Sequence, residues 1–284
     1  MPNFPIIDAH VHLWDPARQV VPWMANAPQL TWLADMQVYE DTTAGVEIDG
    51  LVYLEIDIAP VYALPEAKAI AELAASDPRV MGVVAFAPLE YGEHLRWYLE
   101  ELTAIGPAIK GVRRLTQGEP DPDFCLQPGF VRGAQMLPEF GLSCDLCCYY
   151  VQLGQTVELV QRCPETSFIL DHIGKPNIRG GELEPWKSQI RDLAALPNVV
   201  CKISGATTEA NFETWTIDDL KPYLLHVLET FGEDRVVFGS DWPVSSQATT
   251  YKRWVETIDE LTNDWSETAK HKLWNENART FYRL

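Results

Sequence analysis

The run Ile6-Ile7-Asp8-Ala9-His10-Val11-His12 decides how this chain is read. A short apolar stretch ending in two imidazoles has the length and composition of a buried strand. The next residues are Leu13-Trp14-Asp15-Pro16. The glycine-rich GxGxxG turn that a dinucleotide-binding doubly wound sheet places after its first strand is missing, so that alternative lacks support. Working outward, comparable runs recur at Gly50–Asp57, Val80–Leu89, Ile109–Leu115, Ser143–Tyr149, Ser167–Gly174, Val199–Gly205 and Val236–Pro243, eight strands in all. Helical patterns fill the intervals at Pro65–Ser76, Tyr91–Ile105, Gly129–Phe140, Leu153–Cys163, Pro185–Leu196, Ile217–Phe231 and Ala248–Leu261, with a terminal one at Asp264–Phe281. Pro65 and Pro185 suit a first helical turn, and Ser76-Asp77-Pro78, Cys163-Pro164 and Leu196-Pro197-Asn198 end helices before the next strand. Eight βα units predict the α/β class and a (β/α)8 TIM barrel, a single domain over residues 1–284. Leu13–Asp49 has no long helical period and carries Trp14, Trp23 and Trp32. It is expected to be a long loop after strand 1, either a wall or lid of the mouth or a loop buttressed by its aromatics.

Composition narrows the function classes. Hydrophobic residues make up 46% and charged residues 22%, enough for a large core, which excludes a disordered or fibrous chain. Forty-one acidic against 22 basic residues give a formal net charge of -19, a surface that repels phosphate backbones. The expected partner is a small-molecule substrate, with no nucleic acid and no membrane; a monomer and a homodimer are equally compatible. Six cysteines do not make a disulfide scaffold. Met1-Pro2-Asn3-Phe4-Pro5 has no cationic segment leading into an apolar run, so a signal peptide is not expected and a cytoplasmic location is.

In a barrel, chemistry collects at the C-terminal ends of the strands. His10 and His12, two apart, share a face there and can hold one divalent ion or one substrate oxygen. Glu55 and Asp57 share a face of the second run. Of Arg113 and Arg114, Arg113 is expected at the mouth and Arg114 in a pair with an acid or at a helix end. His172 closes the sixth run, and Asp241 is the only acid ending the eighth, the strongest candidate for a general base. Cys144 and Cys147 have CxxC spacing with Cys148 beside them, but strand alternation separates the first two by face, so they are expected in the core or the pocket wall. No GxSxG elbow, phosphate loop or HExxH motif occurs.

Together, IIDAHVHLWDP (6–16), KGVRRL (110–115), LDHIGKP (170–176), CKISGATTEA (201–210) and VVFGSDWPVSS (236–246) resemble the amidohydrolase superfamily, and within it the amidohydrolase-related branch. That branch includes lactonases of sugar lactones such as fuconolactone and rhamnonolactone, aromatic-ring lactonases, and decarboxylases. The resemblance implies that His10, His12, His172 and Asp241 are catalytic, with Asp241 activating water. It implies at most one divalent metal, zinc foremost, on His10, His12 and Asp241, or none. Several relatives place a histidine after strand 5; the tract Asp145–Leu153 has none, and Gln152 is the nearest polar candidate. Glu55, Arg113, Gln152 and Lys175 are expected to bind hydroxyls or a carboxylate, and Trp14 and Trp242 to supply a flat face beneath a ring. An ester asks less of its oxyanion donors than an amide does, which favours lactone hydrolysis. The alternatives are a zinc-dependent decarboxylase, an aromatic pyrone lactonase, and a non-catalytic sugar-acid binding barrel.

Overall fold

The structure, a computed structural model, describes residues 1–284. Eight strands form one parallel sheet in sequence order: β1 (Ile6–Val11), β2 (Ile48–Leu54), β3 (Val80–Phe86), β4 (Ile109–Arg113), β5 (Ser143–Leu146), β6 (Phe168–Leu170), β7 (Val199–Ile203) and β8 (Val236–Phe238). The ring closes just beyond β8. Val11 bridges Trp242 in parallel, His12 N donates to Trp242 O at 2.8 Å, and Asp241 N donates to His10 O at 2.9 Å. This is the expected TIM barrel.

The helices that cover it are α1 (Met36–Thr42), α2 (Ala63–Ser76), α3 (Leu95–Ala104), α4 (Pro128–Met136), α5 (Leu153–Arg162), α6 (Trp186–Ala194), α7 (Ile217–Phe231), α8 (Tyr251–Leu261), α9 (Glu267–His271) and α10 (Asn277–Tyr282). Helix α7 illustrates why they form. Leu220, Tyr223, Leu224, Val227, Leu228 and Phe231 recur at helical spacing and are buried. Thr216 and Asp219 make a reciprocal capping box at its start, and Gly232 in the left-handed region (φ 73°) ends it.

Two apolar layers result. The larger lies between sheet and helices. The smaller fills the lower barrel with Ile7, Ala9, Val52, Leu54, Val84, Ile169 and Val237, closed from below by Ala278 and Tyr282 of α10. The β1–β2 register shifts between Asp8 and Val11. Below the shift Ile7 and Ala9 face the lumen; above it His10 and His12 do, which brings the imidazoles to the catalytic mouth.

The segment after β1 forms a wall. Trp14 and Ala34 exchange two backbone hydrogen bonds at 2.9 Å, pinning its ends together. Between them run single-turn helices at Pro22–Asn26 and Pro28–Leu30. Helix α1 comes next, its N-terminus capped by the Asp35 carboxylate accepting from Val38 N at 3.0 Å. Two expectations need correction. Helix α1 is not among the helices expected from sequence, because seven residues show no resolvable period. Several runs also end earlier than expected: β6 stops at Leu170 and β8 at Phe238, so His172 and Asp241 stand in turns beyond their strands.

Candidate active site

Three of the residues at the mouth owe their aim to a left-handed backbone: His172 (φ 54°), Asp241 (φ 60°) and Asp57 (φ 51°). Each sits just past a strand end, where the turn swings the side chain over the barrel. Two glycines make room for the imidazoles. A Cβ on Gly239 would lie 2.8 Å from His10 Cβ, and one on Gly205, itself at φ +61°, would run into the ring of His172. Asp8 latches the ends of the ring, its Oδ1 accepting from Ser240 N at 2.8 Å and from His10 N at 3.2 Å.

The imidazoles converge on one carboxylate. Asp241 Oδ1 lies 3.6 Å from His12 Nε2, 3.8 Å from His10 Nε2 and 3.9 Å from His172 Nε2. His12 Nδ1 is 2.9 Å from Leu54 O, a carbonyl that can only accept. Its Nδ1 therefore donates there, which turns Nε2 toward the site. Burial first, then Lys202 and His12, hold the pKa of His10 well below the usual imidazole value. Burial and then His10 and Lys175 do the same for His172. Both rings are neutral at neutral pH, so positive charge at the mouth comes from Arg113 and Lys175.

Beneath the imidazoles lies a buried ionic lattice. Arg113 Nε donates to Glu55 Oε1 at 2.6 Å, and its guanidinium reaches Asp171 Oδ2 at 3.3 Å. Lys202 Nζ is 2.5 Å from Asp145 Oδ2, 3.0 Å from Asp171 Oδ1 and 3.4 Å from His10 Nδ1. Burial alone would push the Asp171 carboxyl up, but Lys202 and Arg113 outweigh it and hold it below its ordinary range. Burial dominates at Asp145 and raises it to about 6 despite Lys202.

A cavity of about 200 Å³ opens above this lattice. Of the candidates read from sequence, His12, Trp14, Arg113, His172, Lys175 and Asp241 line it, with His10 directly beneath. Three others stand elsewhere. Glu55 is locked by Arg113 and by Asp57 N, so it positions the arginine and does not face the cavity. Gln152 is turned into its own helix start, accepting from Tyr149 N and donating to Thr116 O. Trp242 is buried against Trp32 and Tyr39. The cavity is completed by Gln117, which the sequence did not mark as part of the site, and by Trp23, Cys147 and Asp57. Cys147, expected in core or pocket wall, is in the wall, at the end of β5 where Gln152 had been expected to serve. Arg114 pairs with Glu90 and Glu119 at 3.2 and 2.7 Å, off the cavity. All six cysteines are free and buried.

The donors fit a divalent ion. Ligand atoms of His10, His12 and Asp241 lie within 4.8 Å of one another, as do those of His10, Asp171 and His172. Separations of 3.6 to 3.9 Å are too long for N–H···O bonds. They are close to the roughly 3.4 Å edge of a tetrahedron with ~2.1 Å metal–ligand bonds. The first group is the better fit, because Asp171 in the second is already engaged by Lys202 and Arg113.

The amidohydrolase family model matches residues 7–284. The chain belongs to the amidohydrolase family. Its membership and its buried His/Asp donor cluster make it an enzyme of hydrolase type. This amidohydrolase is 28% identical over 300 residues to the L-fucono-1,5-lactonase of Burkholderia multivorans, a match covering 98% of this chain and 96% of that one. It is 23% identical to the L-rhamnono-gamma-lactonase of Scheffersomyces stipitis, with both chains covered fully. A crystal structure of an amidohydrolase from Burkholderia multivorans with bound zinc superimposes with a TM-score of 0.90 at 27% identity, covering 99% of this chain and 100% of that one. No helix of this amidohydrolase is long and apolar enough to cross a membrane.

Proposed function

We propose that this amidohydrolase opens a neutral sugar lactone to its sugar acid, with Asp241 as the general base. The observation that carries the reading is the convergence of His10, His12 and His172 on the Asp241 carboxylate at the floor of a cavity with room for one small ring. The similarity to sugar lactonases supports it.

The charge balance of the cavity favours a neutral substrate over a carboxylated one. Arg113 is matched by Glu55 and Asp171, and Lys175 lies 3.7 Å from Glu209. With both cations matched, Asp57 and Asp241 leave the lining acidic. A pyrone carboxylate, or the carboxylate lost in a decarboxylation, would meet only cations already matched by Glu55, Asp171 and Glu209, beside the acids Asp57 and Asp241.

Each residue has its share of the work. Trp14 stacks on His12 with ring centroids 6.4 Å apart, and Trp23 Nε1 is fixed on Ile56 O at 2.7 Å, so two indole faces stand ready for the C–H face of a sugar ring. Gln117 and Asp57 offer hydrogen bonds to its hydroxyls. Asp241 takes a proton from water as the water oxygen bonds to the lactone carbonyl carbon. Lys175 stays protonated, because the nearby carboxylates of Glu209 and Asp241 offset its burial; it and Arg113 are the cations that line the cavity beside the developing oxyanion. When the ring C–O bond breaks, Asp241 returns the proton to the leaving oxygen, and the new carboxylic acid ionises. When bound on His10, His12 and Asp241, a divalent ion would supply Lewis acidity to the carbonyl and lower the pKa of a water.

The test is acid release, monitored with a pH indicator, from neutral 1,4- and 1,5-aldonolactones and from pyrone carboxylates at equal concentration. The neutral lactones are expected to turn over at least tenfold faster in kcat/KM. Preference for the carboxylated ring, or carbon dioxide release from an aromatic acid without lactone turnover, would contradict the proposal.

A further inference from the structure

Gln117 stands in the turn beyond β4, Cys147 just past the end of β5, and both line the catalytic cavity. Their backbones are tied together. Cys147 O accepts from Thr116 N at 3.0 Å, from Gln117 N at 3.3 Å and from Thr116 Oγ1 at 3.2 Å. Gln152 Nε2 braces the same turn by donating to Thr116 O at 2.8 Å. The side chains meet as well, with Cys147 Sγ 3.5 Å from Gln117 Oε1. Burial pushes the Cys147 thiol up to about 12, so it keeps its hydrogen and donates to that oxygen. With Oε1 engaged, the amide presents its –NH₂ elsewhere. Gln117 is half-buried, and its Nε2 has no acceptor in the protein and is not sealed from solvent. The indole N–H groups of the lining are committed, Trp14 Nε1 to Trp32 O at 2.9 Å and Trp23 Nε1 to Ile56 O at 2.7 Å. Gln117 Nε2 is thus an uncommitted neutral donor in the cavity wall.

We infer that Gln117 determines specificity for the hydroxyl pattern of the substrate by donating from Nε2 to one ring hydroxyl, and that Cys147 is the positioning residue that aims it. This deepens, and rests on, the neutral sugar-ring reading given above. A hydroxyl oxygen accepts from Nε2. A methylene in its place displaces water from the amide without replacing the hydrogen bond, and that is how a polar site rejects the deoxy analogue. The thiol contributes orientation. Its S–H distinguishes the oxygen of the amide from the nitrogen; without it the amide is free to turn either end to the substrate.

Two readouts test the inference: kcat/KM for aldonolactones and their monodeoxy analogues, and calorimetric binding of the matching aldonolactams, which need not be opened to bind. The wild type is expected to discriminate about tenfold against loss of one particular hydroxyl in both readouts. Gln117→Leu is expected to bring that ratio below about twofold. Cys147→Ala is expected to lower the same ratio about threefold, and Cys147→Ser, whose hydroxyl donates as the thiol does, to restore it. A merely structural defect would weaken every analogue alike and leave the ratio unmoved. Circular dichroism verifies that each variant is folded. No lactam binding, no hydroxyl-specific preference in the wild type, or an undiminished ratio in Gln117→Leu would overturn the role of Gln117. An unchanged ratio in Cys147→Ala would overturn that of Cys147. Hydroxyl-specific lactam binding without turnover of any lactone would support this inference and contradict the proposed reaction.

Discussion

His172 and Asp241 hold left-handed backbone conformations that cost roughly 1–3 kcal/mol each for residues other than glycine. The surrounding packing has to over-determine them. Gly205 is part of that packing, since a Cβ there would collide with the His172 ring while the residue is itself at φ +61°. Gly205→Ala is expected to destabilise the protein by about 1–3 kcal/mol in urea unfolding. It should also lower lactone kcat/KM at least tenfold, because the ring must move off Asp241; wild-type turnover in this variant would show that His172 placement is not needed. The four polar residues at the mouth were legible in the sequence because each ends or succeeds an apolar run, where an imidazole or carboxylate has few other reasons to be. Lys202, Asp145 and Asp171 were not. A lone charge inside a short apolar strand does not by itself reveal a partner on a strand distant in sequence, and the Lys202–Asp145 contact spans 57 residues. Glu55 and Trp242 stand off the cavity for the complementary reason: a strand-end position says which end of the barrel a residue occupies, not whether a neighbour such as Arg113 or Tyr39 already holds it.

Among the elements, β1 and α10 frame the site from above and below. The repeat of short apolar runs and longer helical patterns made the barrel readable, because a parallel sheet needs a crossover helix between successive strands. The register shift in β1 was not readable: strict alternation from Ile7 would put Ala9 and Val11 on the luminal face, whereas above the shift His10 and His12 are there. Helix α10 was legible only as part of a terminal helix, yet it forms the floor of the barrel. Tyr282, fully buried, donates from its hydroxyl to Asp145 Oδ2 at 2.7 Å and so ties the last helix to the lattice under His10. Tyr282→Phe keeps the ring and removes that donor. It is expected to lower unfolding free energy by about 1–3 kcal/mol, the usual range when a buried acceptor loses its partner. A change below a few tenths of that would mean that Asp145 relies on Lys202 alone.

At the scale of the whole molecule, the chain carries a formal net charge of -19 yet buries several carboxylates, and its stability must therefore depend on pH. Glu66 gives the clearest sign. Its carboxyl is raised by burial and by Glu55 from the ordinary 4.5 to about 8. Between those values the folded protein holds a proton that the unfolded chain has lost. This group's contribution to stability therefore falls as pH rises through that window. Glu66→Gln, which cannot ionise, should gain midpoint temperature relative to the wild type on going from pH 5 to pH 8.5; an unchanged difference at the two pH values would contradict the assignment. In the function proposed above, the whole barrel serves to gather three imidazoles on one carboxylate and so open a neutral lactone ring. The most direct measurement is the rate of acid release from a panel of neutral aldonolactones by the wild type and Asp241→Asn side by side, with circular dichroism verifying that both are folded. Saturable turnover is expected from the wild type, and a loss of roughly 10²–10⁴-fold in the variant, the range for removing a general acid–base. Wild-type rates in a folded Asp241→Asn, or no acid release from any lactone by the wild type, would contradict it.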